Sequence, residues 1–441
     1  MPEHVAERPS GYALRHVLLA LALLLNFRTF QFFPGMAHVQ EAWFILCALA
    51  FVMIYPAWKL SKGLRFSHFE LYMLATMLIL VALPAWQARA EFGQPLAYGI
   101  LSRRFVALVA ALCLLLNGLR YRIVRIADLE GALLTAAWGT WLLYSAIEIF
   151  LNPANYWDPQ KHFVLMAGGN PAFALPGEFI LFGFMYYILR GARTGNAKDF
   201  LLAAILFAPT FAAGGTGRMA TLSLLASLGF FLYRWLPVGR FWSIAAKFSL
   251  IAALGIGLAY AVAPAFITQR VAAYSDAFRV TLTGTEVSDV SANVRLLQVL
   301  TALPYIQKHP LLGNGVLSAQ WYGGEQSLLG DLFNSSDIGL VGGVFIFGGL
   351  GLIALAYQFR FAARAARRLS PSIRSPLADA TKAFLLYVAI SSFSACYFAF
   401  NPEKTLFFIT LLVGISLQAR EQGDDFKEMG LCNPQEPALS V

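Results

Sequence analysis

The sequence predicts an all-α membrane protein, a bundle of about twelve transmembrane helices with one large loop on the outer side. Three observations predict this class. Hydrophobic residues make up 58% of the 441 residues, and charged residues only 13%. Apolar runs of about 20 residues recur along the chain, which is the length that crosses a hydrocarbon core of about 30 Å. The runs are continuous, whereas an outer-membrane barrel would show short alternating segments.

The predicted spans follow one another from the N-terminal region to residue 419. The first contains an apolar run from Arg15 to Phe30 with no small-residue cleavage site, so it is interpreted as a span and not as a signal peptide. The expected spans are 12–32, 41–60, 68–88, 101–118, 128–151, 173–190, 199–214, 217–236, 241–267, 337–358, 378–399 and 403–419.

Arginine and lysine are concentrated in every second connection between these spans. By the positive-inside rule the basic connections lie in the cytoplasm, and both termini are then cytoplasmic. The net charge of +9 therefore orients the chain in the membrane, and no nucleic-acid partner is expected. The basic connections contain Lys59, Lys62 and Arg65; Arg120, Arg122 and Arg125; Arg190, Arg193 and Lys198; Arg234 and Arg240; and Arg360, Arg364, Arg367, Arg368 and Arg374.

The chain divides into four parts on this basis. Residues 1–267 contain the first nine spans, and residues 268–336 are a long polar segment with amphipathic helices on the outer side. Residues 337–420 contain the last three spans, and residues 421–441 are a polar cytoplasmic tail that is expected to be disordered. A largely apolar protein with this much polar sequence on one side is expected to carry out its chemistry there.

No metal and no organic cofactor are expected. The six histidines and the Asp and Glu residues show no cluster at ligand spacing, and the four cysteines are scattered. No glycine-rich nucleotide-binding motif is present. Gly342-Gly343 and Gly348-Gly349 lie within an apolar run and are interpreted as packing glycines inside one helix.

Arg218 is the first candidate site residue. It follows the turn Gly214-Gly215-Thr216-Gly217 and opens an apolar helix, for which Thr216 is a suitable N-cap. Free N–H groups at the start of this helix, together with the guanidinium, would bind an anion. The alternative is an arginine that only reaches the membrane surface with its charged end. Position alone does not separate the two interpretations.

Further candidates lie in the polar segment and directly after it. Arg295 falls on a predicted amphipathic helix, where it is either a site residue or a solvated surface cation. Asp337 begins the next span, where it either caps the helix or serves as a proton acceptor at the membrane surface. Arg270 is another cation on the outer side. Arg103 and Arg104 lie at the outer end of a span, where the positive-inside rule makes basic residues rare.

Taken in order, these motifs resemble those of the O-antigen ligase and O-antigen polymerase superfamily of bacterial envelope glycan assembly. The resemblance covers about residues 200–360. The glycine turn with Arg218 resembles the family's motif of small residues and arginine. Arg295 and the stretch from His309 to Gly315 resemble its outer-loop signature, and Gly348-Gly349-Leu350-Gly351 resembles the Gly-Leu-Leu-Gly of the following span.

One position departs from the ligase pattern. Ligases carry His-Asn at the start of the span that contains the Gly-Leu-Leu-Gly motif. Counting back from Gly348, the histidine falls on Asp337 and the asparagine on Ile338. An Asp-x-Gly start of this span looks like the polymerases of the superfamily, so the resemblance favours a polymerase.

The resemblance implies a metal-independent glycosyltransferase of the GT-C type in the bacterial inner membrane. Arg218 and Arg295 would stabilise the charge of a leaving lipid pyrophosphate, and Thr216, Arg270 and His309 would assist in binding it. Asp337 would accept the proton of the acceptor hydroxyl. The implied partners are polyprenyl-pyrophosphate-linked glycans, membrane lipids, a chain-length regulator and a flippase.

Two alternatives stay open. One is a ligase that moves finished glycan to lipid A-core or to a protein, which the aspartate at position 337 disfavours. The other is a flippase or another transporter of lipid-linked oligosaccharides, because about twelve spans suit that class too. A transporter is expected to carry its charged groups near the middle of the bilayer. The candidate charges here lie at the outer ends of spans, which favours an enzyme.

Overall fold

The computed structural model describes residues 12–61, 66–156, 164–167, 170–173, 176–212, 218–262, 264, 268, 275, 290–369 and 375–428. These residues are almost entirely helical. A short antiparallel hairpin is formed by β1 (Val164–Ala167) and β2 (Asn170–Phe173), with Val164 opposite Phe173.

The described helices, in chain order, are α1 (Tyr12–Asn26), α2 (Met36–Ser61), α3 (His68–Phe92), α4 (Leu96–Ser102), α5 (Val109–Arg120), α6 (Ile126–Phe150), α7 (Glu178–Thr194), α8 (Ala197–Ala212), α9 (Arg218–Trp235), α10 (Val238–Val262), α11 (Val290–Lys308), α12 (Glu325–Leu329), α13 (Gly339–Arg368), α14 (Pro376–Ser391), α15 (Tyr397–Phe400) and α16 (Pro402–Glu428). Short 3₁₀ helices cover Arg104–Leu108, Pro153–Tyr156 and Ser335–Ile338.

Four of the described helical segments are long and apolar enough to cross a membrane: α2, α3, α6 and the segment Ser335–Arg368, which includes α13. A fifth is obtained if the helices Leu96–Ser102 and Arg104–Arg120, which are bent by 49° relative to each other, count as one broken span. The predicted class, a helical protein compatible with several membrane crossings, is confirmed. Each predicted span overlaps a described helix, but the count of about twelve spans and the large outer loop stay predictions.

The ends of α3 show how the sequence fixes the limits of a helix. The Ser67 hydroxyl accepts a hydrogen bond from the Glu70 N–H, and the Glu70 carboxylate accepts one from the Ser67 N–H. This reciprocal arrangement satisfies two N–H groups that the first turn leaves free. At the other end, Gly93 takes the left-handed conformation (φ 77°) and closes the helix.

Aromatic side chains fill the centre of the bundle. The buried ring of Phe27, just after α1, lies 4.7 Å from that of Phe179 on α7 and 5.1 Å from that of Phe407 on α16. A second, smaller apolar cluster joins α3, α11 and α13, and it includes Leu80, Ala302 and Phe345. Because this cluster lies where the polar segment meets the bundle, it supports the residues of the candidate site.

The structure corrects three details of the prediction. The expected span 101–118 is not one straight helix, because it is broken at Arg103 between α4 and the 3₁₀ helix that follows. Gly348 was expected to pack inside a regular helix, yet its φ of 59° and ψ of −156° interrupt α13. In addition, α16 continues to Glu428, so residues 421–428 of the expected tail are helical.

Candidate functional site

The stretch from His309 to Gly315 docks onto the break in α13. The non-helical Gly348 leaves backbone groups of α13 without partners inside the helix, and the stretch supplies partners for them. Two amides of the stretch donate to α13 carbonyls, and two α13 amides donate to carbonyls of the stretch. The bonds are Asn314 N to Phe345 O (2.8 Å), Gly315 N to Ile346 O (3.1 Å), Gly349 N to Pro310 O (2.8 Å) and Leu350 N to Leu311 O (3.1 Å).

The other side of the same stretch contacts α3. A β-carbon added to Gly315 would lie 2.2 Å from the Pro84 carbonyl oxygen, so only glycine fits there. The Gln94 side chain binds the residues directly after the stretch with both ends of its amide. Its Nε2 donates to the Val316 carbonyl at 3.0 Å, and its Oε1 accepts from the Ser318 N–H at 2.7 Å. The stretch is therefore held between two candidate spans.

His309, one of the expected binding residues, lies at the C-terminal end of α11. Its Nε2 lies 2.7 Å from Oε2 of Glu91, and the neighbouring Lys308 contacts Oε1 of the same carboxylate at 2.6 Å. Glu91 belongs to the last turn of α3. The His309 ring thus joins α11 to α3 through a carboxylate that the sequence did not single out.

Asp337 lies on the 3₁₀ turn that leads into α13. The cap of this turn is Asn334, whose Oδ1 accepts from the Ser336 N–H at 3.1 Å. The Asp337 carboxylate is exposed, and Asn334 Nδ2 donates to it at 3.2 Å. The N-cap position of α13 is Ile338 and receives no side-chain cap, so Asp337 does not cap this helix in the structure.

The backbone next to Asp337 is held on two sides. Ser335 is buried, and its N–H and hydroxyl both donate to the Glu325 carboxylate, at 2.8 and 2.7 Å. On the other side, its carbonyl oxygen lies against α13, where a β-carbon added to Gly342 would be only 1.8 Å away. An exposed carboxylate therefore projects from an immobilised turn, as a preorganised reactive group requires.

Glu325 has an unusual environment. Burial raises the pKa of its carboxyl, the hydrogen bonds from Ser335 lower it, and the nearby Asp337 raises it, so the net direction is upward. Two carboxylates in different environments are thus close to each other at the start of α13. Such a pair is typical of sites where protons are transferred.

A buried charged side chain, Arg103, lies between α4 and the 3₁₀ helix that follows it. Arg103 is 8% exposed and has no carboxylate within ion-pair distance in the described part of the chain. Its Nε donates to the Leu80 carbonyl at 3.4 Å and its Nη2 donates to the Ala399 carbonyl. Its guanidinium carbon lies 5.4 Å from the centre of the Phe347 ring. The Leu80 carbonyl lacks its helical donor because Pro84, four residues on, has no N–H.

Two further ion pairs include Glu403 and Lys404, in the first turn of α16. Arg28 donates to Asn401 and lies 3.3 Å from the Glu403 carboxylate, which is close enough to act on Arg103 electrostatically. Lys404 donates to Glu178, and both side chains are about nine-tenths buried. Ionised groups inside a membrane bundle are costly and are functional candidates by default.

The structure describes the side chains of three of the expected site residues, Arg295, His309 and Asp337. Arg218 is the first residue of α9, as predicted, but its side chain lies outside the described residues, as do Thr216 and Arg270. Arg295 lies on α11, is exposed, and makes no hydrogen bond or ion pair with another described residue. Whether Arg218 and Arg295 converge therefore stays a prediction.

Several charged residues of this region were not predicted from the sequence. Glu403 and Lys404 could have been noticed, because a pair of charges directly before an apolar run indicates a functional or structural role. Glu91 and Glu325 carry no such signal, since their partners are distant along the chain or lie in another element. Among the described residues, no three His, Cys, Asp or Glu side chains are grouped so as to hold a metal ion.

The fold and the site thus define a helical protein with candidate membrane spans and a polar region built around a broken helix. Comparison with models of known protein families and with curated proteins finds no match.

Proposed function

We propose that this protein is a membrane-embedded, metal-independent glycosyltransferase. It polymerises polyprenyl-pyrophosphate-linked oligosaccharide repeats into exopolysaccharide or O-antigen on the periplasmic face of the bacterial inner membrane. The observation that carries the proposal is the exposed Asp337 carboxylate on a turn whose cap is supplied by Asn334 and whose backbone is clamped at Ser335. The carboxylate accepts a hydrogen bond from Asn334 and is otherwise exposed, so it is accessible to an acceptor hydroxyl.

The proposed reaction transfers a glycan from one lipid carrier to another. A hydroxyl oxygen of the acceptor repeat attacks the anomeric carbon of the donor, and the bond from that carbon to the pyrophosphate oxygen breaks. The electron pair leaves with the polyprenyl pyrophosphate, and the hydroxyl proton passes to Asp337. Arginine guanidinium groups stabilise the leaving pyrophosphate by paired hydrogen bonds, which is the role of Arg218 and Arg295.

The docked stretch of residues 309–318 suits this reaction. It bridges α3 and the part of α13 from Phe345 to Leu350, so it holds irregular backbone against two candidate spans. Irregular backbone at membrane depth is tolerated only where protein covers it or where it lines a cavity. A polar lipid-linked substrate needs such a region at the membrane surface.

The test uses purified protein in lipid vesicles with a polyprenyl-pyrophosphate-linked repeat, without nucleotides and with a metal chelator. We expect a ladder of longer lipid-linked products. Asp337→Asn abolishes the ladder, although the protein unfolds at the wild-type temperature because Asn334 still caps the turn. The matched control is Asp331→Asn, which changes an exposed carboxylate in the same segment and leaves the ladder intact.

The arginines provide a second measurement. Loss of one preorganised donor costs about 2.7–4 kcal/mol of transition-state stabilisation, or about 10²–10³ in kcat. Arg218→Lys and Arg295→Ala are each expected to lower the rate by such a factor, since lysine lacks the planar fork. Normal ladders from both variants, or from Asp337→Asn, would refute the proposed site. Transfer to a lipid A-core acceptor without any ladder would point to a ligase instead.

A further inference from the structure

Glu325 holds the residue two positions before Asp337 by two hydrogen bonds. Its Oε2 accepts from the Ser335 N–H at 2.8 Å, and its Oε1 accepts from the Ser335 hydroxyl at 2.7 Å. Glu325 begins α12, a separate short helix, so these bonds tie two elements together across ten residues of chain (335 minus 325). Ser335 itself is 3% exposed.

The remaining supports of this turn are apolar or backbone contacts. Gly342 accommodates the Ser335 carbonyl, and Gly339, with a φ of 54°, passes close to the Phe393 carbonyl. The buried Phe333 packs on Phe345 at 5.4 Å between ring centroids. These contacts hold the backbone of the turn against α13 and the residues that follow it. In the described structure, the Glu325 carboxylate is the side-chain anchor of the Ser335 N–H and hydroxyl.

We propose that Glu325 is a positioning residue for Asp337 in the transfer reaction, an inference that rests on the proposed function. It acts on the substrate only through the Ser335 turn, by keeping the Asp337 carboxylate at the place where the acceptor hydroxyl loses its proton. A displacement of about 1 Å at a reacting group costs about 10²-fold in rate. The role requires hydrogen-bonding geometry at position 325 and does not require a proton acceptor there.

Two substitutions separate positioning from proton transfer. In Glu325→Gln, the amide oxygen accepts from the Ser335 N–H and the amide nitrogen donates to its hydroxyl oxygen, so the clamp is retained without a charge. Glu325→Ala removes both bonds. In the vesicle assay we expect Glu325→Ala to lower kcat about 10²-fold with little change in KM, and Glu325→Gln to stay within about tenfold of wild type. Asp331→Asn serves again as the control.

A second measurement does not depend on activity. A nitroxide label on Asp337→Cys, in a chain that also carries Cys432→Ser, reports the mobility of the turn. The other three cysteines are buried. Adding Glu325→Ala should make the label more mobile, whereas adding Glu325→Gln should not. A label on Arg364→Cys, in the distal part of α13, should be unaffected by either change.

The outcomes separate the two proposals. If Glu325→Ala is fully active, or if the label shows the same mobility with and without it, the positioning role is wrong. If Glu325→Gln is as inactive as Glu325→Ala, the charge itself is needed and Glu325 is not only a positioning residue. If the wild-type protein makes no ladder while the label responds as expected, the proposed function fails although the clamp on Ser335 is real.

Discussion

Gly313 and Gly348 touch backbone to backbone. A β-carbon added to Gly348 would lie 2.6 Å from the Gly313 nitrogen, and one added to Gly313 would lie 2.6 Å from the Gly348 nitrogen. Both residues have positive φ, of 72° and 59°. The two motifs that carry the family resemblance in this half of the chain therefore form one structural unit, in which a loop enters the gap of a broken helix.

The first prediction concerns this contact. Gly348 adopts a region of φ and ψ that is essentially restricted to glycine, and a β-carbon there would also meet Leu311 at 2.4 Å. Gly348→Ala is expected to destabilise the protein by at least about 1–3 kcal/mol, the usual cost of such strain. Thermal unfolding in detergent measures the effect.

The neighbouring glycine is the matched control. A β-carbon on Gly349 would make only ordinary contacts, at 3.6 Å and beyond. Gly349→Ala should therefore be neutral or stabilising by about 0.5–1 kcal/mol, because alanine is favoured in helices. Equal unfolding temperatures for the two variants would contradict the docking of the loop at Gly348.

The second prediction links Arg103 to Pro84. Arg103→Met removes the donor to the Leu80 carbonyl, which Pro84 deprives of its helical donor. In a Pro84→Ala background the new N–H can bond to Leu80, so Arg103→Met should cost less there. We expect a coupling of about 0.5–3 kcal/mol in a double-mutant cycle measured by chemical unfolding. Arg104→Met, which removes the pair with Glu41, should combine additively with Pro84→Ala.

The third prediction compares a buried and an exposed ion pair. Lys404→Met would leave the buried Glu178 carboxylate without its cation and should cost about 3–5 kcal/mol of stability. Adding Glu178→Gln should restore most of the loss. Lys308→Met affects a lysine that is 61% exposed beside Glu91 and should cost about 0.2–1 kcal/mol. Similar losses at both sites would mean that the Glu178 pair is hydrated.

The fourth prediction concerns pH. The pKa of Glu325 is raised in the folded protein, mainly by burial. The folded state therefore holds this proton more tightly than the unfolded state, and stability falls as the pH rises from about 4.3, the ordinary pKa of glutamate, through the raised value. Glu325→Gln cannot titrate. Its unfolding temperature relative to wild type should accordingly increase over this pH interval, and a difference independent of pH would contradict the shift.

The fifth prediction is the orientation in the membrane. The basic connections place the C-terminal end of α13, from Arg360 on, in the cytoplasm and the polar segment outside. In a chain with Cys432→Ser, a cysteine in place of Tyr322, which is 80% exposed, should react with an impermeant reagent in intact cells. A cysteine in place of Arg364 should react only after permeabilisation. The reverse pattern would overturn the orientation and the periplasmic site.

The sequence by itself determined the class of the protein and the places of its helices. Apolar runs separated by polar connections are local patterns, and a helix satisfies its own backbone, so the predicted spans overlap the described helices. The start of α9 at Arg218 and of α11 ahead of Arg295 followed from the same signals. The positions of the cysteines, glycines and charges along the chain are likewise properties of the sequence alone.

Only the tertiary structure decided how the polar groups are used. Gly348 belongs to an uninterrupted apolar run, and its break exists because the distant Gly313 loop supplies the lost hydrogen bonds. The cap at Asn334 and the clamp from Glu325 likewise depend on which side chain reaches Ser335 and Ser336. A hydrogen bond is set by distance and direction in space, and residues far apart in sequence leave no local pattern that reveals it.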